Sequence, residues 1–246
     1  MCKAFSCVAL ESGRVLWQFG VDSHEDLLAA EKLADMDIQP NFARVEIPPR
    51  NGDYQKPDKW VLKIDEQATP AWWSPAYEAA CWDAHKDWCR QLYAILDTES
   101  VIISPFTLTP PTIGKKHIAL LRKWASVRAS VGASVRASVW ASVWDSVGDS
   151  VWDSVGDSVW ASVGASVRAS VWASVGAQIG SLFRLPRAAW KNTNKIKTKG
   201  YPFQPAVDLW RLGLVPSFDG TTWHLHGGPS GLALFSITQV KLRGVK

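Results

Sequence analysis

A tetrapeptide written fourteen times, from Ala125 to Gly180, constrains this chain more than any other feature. Each copy has the form Ala/Asp-Ser-Val-Xaa, where Xaa is Trp, Gly or Arg, and the last copy is degenerate (Ala177-Gln178-Ile179-Gly180). The codons of Trp, Gly and Arg can differ in the first base alone, and those of Ala and Asp in the middle base. The pattern therefore indicates a twelve-nucleotide unit that expanded and then drifted, with weak selection on single residues.

A period of four can be helical only if its apolar band winds. We call the Val residues at the third position of successive copies the Val column. An α-helix turns about 100° per residue, so each copy rotates this column around the helix by about 40° beyond a full turn. In a β-solenoid, the alternative, Asp145 to Asp157 would stand beside Val in a dry interior, which is costly. We favour a helix continuous with Lys115–Trp124, with the β-solenoid second and disorder third.

The fold class predicted for the whole chain is α+β. Residues 1–98 are expected to form a small ββαββα domain with its helices on one face of the sheet. Asp22 is predicted to cap the first helix, and Ser74 with Pro75 to begin the second, which runs to about Leu96. The predicted strands cover residues 4–10, 14–19, 42–47 and 60–64.

The rest of the chain is predicted to contain four further segments. They are a linker over 99–112, a helix plus repeat over 113–181, a basic linker over 182–200 and a C-terminal α+β module over 201–246. In that module Phe203 to Gly213 suggests a short helix, Asp219-Gly220 a turn and Leu232 to Val240 a strand. If the repeat is an expandable rod, deleting whole copies should leave both ends folded.

The second half of the chain resembles uncharacterised proteins found in phage and metagenomic sequences. The resemblance is carried by the repeat, by Tyr201-Pro202-Phe203-Gln204-Pro205-Ala206-Val207-Asp208-Leu209-Trp210, and by Val215-Pro216-Ser217-Phe218-Asp219-Gly220. It implies a phage context and no particular activity, fold or site.

Charge and cysteine content narrow the classes of protein. Residues 181–246 carry ten basic and two acidic side chains, so the basic character lies in the last quarter of the chain. Four Cys without CxxC spacing, and no signal peptide, indicate reduced thiols in a cytoplasmic protein. The sequence also lacks an apolar run long enough to predict a membrane span.

Two clusters carry the residue types of metal or catalytic sites, and neither is convincing. His224 and His226 share one face of a predicted strand, but only Asp219 or distant His117 offers a third ligand. Cys81, His85 and Cys89 share one helix face, yet the two thiols lie about 12 Å apart along the helix axis. We therefore predict that the two histidines lie on an exposed strand face and that Cys81, His85 and Cys89 are semi-buried packing residues, with no catalytic residues, no metal and no cofactor.

The remaining features favour a non-enzymatic structural or protein-interaction protein, in which the repeat acts as a spacer or as a self-association element. A wholly helical repeat would span about 84 Å. The predicted interaction residues are the repeat tryptophans, Trp140, Trp144, Trp152, Trp160 and Trp172. The alternative is a nucleic-acid-binding accessory protein using the basic segment 184–199, with Arg184, Arg187, Lys191, Lys195, Lys197 and Lys199.

Overall fold

The computed structural model describes residues 5–33, 41–50, 54, 56–97, 103–147, 149–163 and 171–244. Its elements are helices and two small antiparallel sheets, so the α+β class is confirmed. The chain divides into two compact units. Unit 1 contains the first 98 residues together with 144–155, and unit 2 contains residues 99–143 together with 156–246. The repeat is thus shared between the units.

Unit 1 contains a four-stranded sheet in the order β2-β1-β3-β4, all neighbours antiparallel. Its elements follow the predicted ββαββα order, although β2 and β4 are shorter than predicted. Their bounds are β1 Phe5–Leu10, β2 Val15–Leu16, α1 His24–Ala30, β3 Phe42–Ile47, β4 Lys63–Ile64 and α2 Pro75–Ile95.

The two helices of unit 1 pack on opposite faces of β1, so the prediction of one covered face is wrong. Val8 clusters with Leu27 and Leu28 of α1. Phe5 packs its ring against His85 and Trp88 of α2. Because side chains alternate along a strand, positions 5 and 8 point to opposite faces. Strand β1 is therefore buried on both sides, which its almost uninterrupted apolar sequence, Phe5 to Leu10, already suggests.

The helix starts in unit 1 show one correct and one wrong prediction. Helix α2 begins at Pro75 after Ser74 and ends with Leu96 as C-cap, which are the predicted bounds, but the side chain of Ser74 makes no capping hydrogen bond. Helix α1 is capped by Ser23, whose hydroxyl accepts the backbone N–H of Asp26, and not by Asp22. Helix α1 therefore begins one residue later than predicted.

The described part of the repeat is mostly helical. Helix α3 spans Lys115–Ser130, α4 spans Val135–Val147, α5 spans Asp149–Val163 and α6 spans Trp172–Ser181. Helix α3 joins the predicted Lys115–Trp124 helix to the first repeat copies without a break.

One continuous helix through the repeat is nevertheless not what the chain forms. Helix α3 ends at Ser130, and Val131 has an extended backbone (φ −73°, ψ 135°). The next residue, Gly132, donates its N–H to the carbonyl of Asn192 at 2.8 Å, which replaces a helical hydrogen bond. The chain therefore turns between Ser130 and Val135 because the loop around Asn192 supplies the backbone partner.

The C-terminal part of unit 2 contains a short helix and a three-stranded sheet, followed by a last helix. Helix α7 spans Gln204–Arg211 and is followed by Gly213 at a positive φ of 76°. Strands β5 (Val215–Phe218), β6 (Thr222–Gly227) and β7 (Leu232–Thr238) form an antiparallel sheet in that order. The predicted Asp219-Gly220 turn joins β5 to β6, and α8 (Gln239–Gly244) follows β7.

Two repeat-bearing helices pack against the same short helix. Both α3 and α6 contact α7, and α6 also contacts β5. Ser174 of α6 fixes that contact, because its buried hydroxyl donates to the carbonyl of Pro216 at 2.6 Å. Since both helices pack on α7, the repeat cannot extend as the single straight rod of about 84 Å expected for an unbroken helix.

Candidate interaction surface and polar sites

The Val column of the repeat is part of the core. Every described Val from Val135 to Val159, and again Val171 and Val175, is less than a tenth exposed. Ile179, which takes the Val place in the degenerate copy, is 2% exposed. The winding apolar band predicted from the period of four is therefore covered at each of these positions. It contributes to folding and is not available to bind a partner.

Glycine occupies the variable position where two helices approach each other closely. A Cβ added to Gly176 of α6 would lie 3.3 Å from Cα of Arg136 in α4. One added to Gly180 would lie 2.7 Å from a methyl carbon of Val139. Because such contacts leave no space for a large side chain, neither Trp nor Arg fits at these two places. The three residue types at the fourth position of the repeat, which we call the variable column, are therefore not interchangeable.

Arginine in the same column can serve as a packing residue. The guanidinium of Arg128 lies 5.3 Å from the ring centroid of Phe218 and 5.5 Å from that of Trp223. The two rings stack with centroids 4.7 Å apart. Burial lowers the pKa of Arg128 from its ordinary value. This residue joins α3 to the C-terminal sheet through a cation–π contact.

Tryptophan in the variable column builds an exposed cluster in unit 2. Trp140 is 40% exposed and Trp172 is 41% exposed. The ring of Trp160 meets that of Trp172 edge to face with centroids 4.6 Å apart. The guanidinium carbon of Arg136 also packs on Trp172, 4.5 Å from the centroid of its ring. Trp140 follows Arg136 by one helical turn on α4. We call Arg136, Trp140, Trp160 and Trp172 the Trp–Arg surface.

Three of the five predicted interaction tryptophans thus belong to this surface. Trp144 and Trp152 lie in α4 and α5, but their side chains fall outside what the structure describes. Sequence analysis missed Arg136, although it occupies the same repeat position as the tryptophans. That shared position, one turn before Trp140 on a helix, was the signal that could have identified it.

The basic segment 184–199 is folded into unit 2 and is not an extended linker. Trp190 is buried and packs edge to face on Tyr201 and Phe203. Arg187 donates hydrogen bonds to the carbonyls of Thr193, Ile196 and Thr198, so its charge organises the loop. The remaining predicted basic residues are exposed: Arg184, Lys191, Lys195, Lys197 and Lys199.

The two strand histidines are held in separate hydrogen-bond networks. In the first, Nε2 of His224 lies 3.1 Å from a carboxylate oxygen of Asp219, and Nδ1 lies 2.8 Å from the hydroxyl of Ser236. The Asp219 carboxylate also accepts the backbone N–H groups of Thr221 and Thr222. These hydrogen bonds hold the pKa of Asp219 well below its usual range.

In the second network, Nδ1 of His226 lies 3.0 Å from the carbonyl of Gly231, so this nitrogen carries the proton. Its Nε2 accepts the hydroxyl of Ser217 at 2.8 Å. Burial lowers the pKa of His226, more than the hydrogen bond to Gly231 raises it. Because both nitrogens of both rings are engaged, the pair offers no free nitrogen to a metal. Among the described residues, no group of three or more His, Cys, Asp or Glu has a metal-binding arrangement.

Asp219, His224 and Ser236 are the residue types of a hydrolase triad, but their arrangement differs. In that triad the serine meets Nε2 and the aspartate meets Nδ1, whereas here the two nitrogens are exchanged. Ser236 lies exposed in the middle of β7. The network therefore connects the strands β6 and β7 and the turn before them.

The Cys–His cluster of α2 lies in the core of unit 1. Sγ of Cys89 lies 3.3 Å from Nε2 of His85, and Cys81 is fully buried. Burial raises the pKa of Cys89 to about 12 and lowers the pKa of His85 to about 4. Both groups are therefore neutral near pH 7, and the pair lacks the thiolate that a nucleophilic cysteine needs.

Comparison with known proteins gives no relative. No protein-family model, curated protein or solved structure matches this chain. Among the described helices, none is both long and apolar enough to cross a membrane.

Proposed function

We propose that this chain is a non-enzymatic interaction protein that self-associates through the Trp–Arg surface. The observation that carries the proposal is the exposed cluster in which Arg136 and Trp160 both pack on Trp172. Tryptophan and arginine are the residues most enriched at the energetic centres of interfaces. The cytoplasmic setting and the phage context expected from the sequence remain predictions.

The difference between buried and exposed positions of the repeat supports this proposal. The Val column is buried at its described positions from Val135 onward, so a partner cannot use it. Gly156, Gly176 and Gly180 are buried in unit 2. Trp140 and Trp172 remain exposed, although fully burying an aromatic side chain is worth about 1.5–3 kcal/mol. An interface would recover the part of that energy that their exposed surface still represents.

The chemistry of the surface favours a second copy of the chain as the partner. A two-fold interface brings the same patch of both copies together, so the patch must complement itself. The Trp–Arg surface carries both the cation, Arg136, and the aromatic faces that attract a cation. Exposed Asp157 lies one helical turn before Trp160 on α5 and supplies an opposite charge.

Self-association is favoured over the spacer role that the sequence also allowed. A spacer needs an extended element, whereas α3 and α6 both pack on α7. The turn after Ser130 further shortens any rod. The repeat thus contributes a surface and a core more readily than a fixed separation.

Light scattering coupled to size exclusion tests the proposal. The wild-type mass should rise with concentration above the 27.1 kDa of one chain. The double variant Trp140→Ala/Trp172→Ala should stay monomeric while keeping its far-UV circular dichroism. A matched control is Leu232→Ala, which removes an apolar side chain that is 66% exposed on β7. If the control lowers association as much as the double variant, the Trp–Arg surface is not the interface.

A further inference from the structure

A groove in unit 2 collects three lysines from two separate parts of the chain. Lys123 projects from α3, and Lys195 and Lys197 come from the folded basic segment. The groove has a volume of about 630 Å³, within the range of about 300–1,000 Å³ that small-ligand sites occupy. Lys195 and Lys197 belong to the basic segment predicted from the sequence, and the fold brings Lys123 beside them.

The electrostatics of the groove favour an anion. Among the described residues that line it, the acidic one is Asp208, whose carboxylate accepts the side-chain amide of Gln204 at 2.8 Å. The three ammonium groups therefore outnumber the carboxylate. The lining hydroxyls of Ser126 and Thr198 can donate further hydrogen bonds to phosphate oxygens, whereas the hydroxyl of Ser130 donates to the carbonyl of Ser126 at 2.8 Å.

The shape of the groove favours an extended chain over a single ion. Its α3 wall runs from Leu120 to Ser130, eleven residues whose first and last Cα atoms are separated by about 15 Å along the helix axis. The opposite wall carries the ring of Tyr201 and the prolines 202 and 205. The Tyr201 hydroxyl donates to the carbonyl of Ala177 at 2.7 Å, which fixes the ring. Aromatic and apolar walls beside cations are the combination that binds single strands.

We propose that this groove binds single-stranded nucleic acid, with Lys123, Lys195 and Lys197 on successive phosphates and a base against Tyr201. The contact between a base and Tyr201 requires a single strand, because the bases of a duplex are stacked on one another. The inference names a site for the nucleic-acid alternative and does not depend on self-association.

Fluorescence anisotropy with a labelled oligothymidylate tests the site. The triple variant Lys123→Gln/Lys195→Gln/Lys197→Gln keeps the side-chain stems and should weaken binding by about tenfold or more at low salt. Each lost phosphate contact removes about 0.7 from the slope of log affinity against log salt for a single strand, so the slope should fall by about 2. Circular dichroism checks that the variant is folded.

The matched control is Lys59→Gln/Lys63→Gln/Lys86→Gln, which removes the same charge from exposed positions of unit 1. It should bind within about threefold of wild type, since it changes net charge alone. The Trp140→Ala/Trp172→Ala variant should bind normally, which separates this inference from self-association. Equal loss in both triple variants, absence of salt-dependent binding by wild type, or equal competition by duplex DNA would each overturn the proposal.

Discussion

The guanidinium carbon of Arg136 lies 4.5 Å from the ring centroid of Trp172, although the two residues stand 36 positions apart in the repeat. Both occupy the variable fourth place of the tetrapeptide. Drift among the codons of Trp, Gly and Arg supplies the three residue types found at the fourth position, but tertiary packing determines which copies can accept each type. Trp140 and Trp172 lie at the surface, whereas Gly176 and Gly180 lie where α6 meets α4.

Exchanging Trp, Gly and Arg for one another in the variable column should therefore change the free energy of unfolding by an amount that depends on the position. Gly176→Trp should cost about 3 kcal/mol, because a Cβ alone would stand 3.3 Å from the Arg136 backbone. Trp140→Arg, at an exposed place, should cost less than about 1 kcal/mol. Urea denaturation followed by circular dichroism measures both. Equal costs would show that the column is unconstrained.

Truncating the Val column should destabilise the fold. Val143 is fully buried, so Val143→Ala should cost on the order of 2 kcal/mol. Val240→Ala makes the same chemical change at a position that is 82% exposed and should be close to neutral. A small cost for Val143→Ala in denaturant titration would mean that the band is not packed as described.

The invariant Ser column should separate into costly and neutral positions. The hydroxyl of Ser142 donates to the carbonyl of Ser138 at 2.6 Å and accepts the N–H of Lys191 at 2.8 Å. Ser142→Ala leaves that N–H without its acceptor and should cost about 1–3 kcal/mol.

Ser138→Ala is the internal control for this prediction. Its hydroxyl is buried and, among the described residues, has no hydrogen-bond partner. The substitution should therefore be neutral or slightly stabilising in the same denaturation experiment. A large cost at both positions would indicate a requirement for serine that hydrogen bonding does not explain.

Acid should destabilise the chain through His85. Burial lowers its folded-state pKa to about 4, against about 6.5 for an unfolded histidine. Between these values the unfolded chain binds the extra proton, so stability is full above about pH 6.5 and falls as the pH drops toward 4. His85→Leu should flatten this part of the stability–pH curve. An unchanged slope in the variant would assign the acid sensitivity to other groups.

Deleting one copy of the repeat, residues 137–140, should reduce stability, contrary to the expectation from the sequence alone. The deletion moves Trp160 four positions closer to α3 along the chain, to the place that buried Gly156 occupies in the full chain. A Cβ added to Gly156 would already lie 3.7 Å from Cδ1 of Ile179. Either a tryptophan must enter that space or one end of the helix must leave its partner. Denaturant midpoints of the deletion and the full chain decide the matter, and equal midpoints would restore the expandable-rod hypothesis.

Local signals in the sequence predicted the terminal parts of the chain well. Ser74 and Pro75 define the start of α2, and Asp219-Gly220 defines the hairpin between β5 and β6. These features depend on backbone chemistry within a few residues. Such chemistry can be recognised without knowledge of the fold.

The features that were missed depend on contacts between distant residues. A period of four predicts that the Val band winds, but nothing in it names the elements that cover the band. The end of α3 depends on the carbonyl of Asn192, some sixty positions away from Gly132. The basic segment was interpreted as a linker from its charge, while buried Trp190 and the Arg187 hydrogen bonds hold it in unit 2.

Sedimentation velocity over a dilution series tests the central claim most directly. The wild-type chain should sediment as a monomer when dilute and faster as concentration rises. The variant Trp140→Arg/Trp172→Arg, which uses only letters that the repeat already contains, should remain a monomer throughout. A single 27.1 kDa species for the wild type at every concentration, or unchanged association of the variant, would contradict self-association through the Trp–Arg surface.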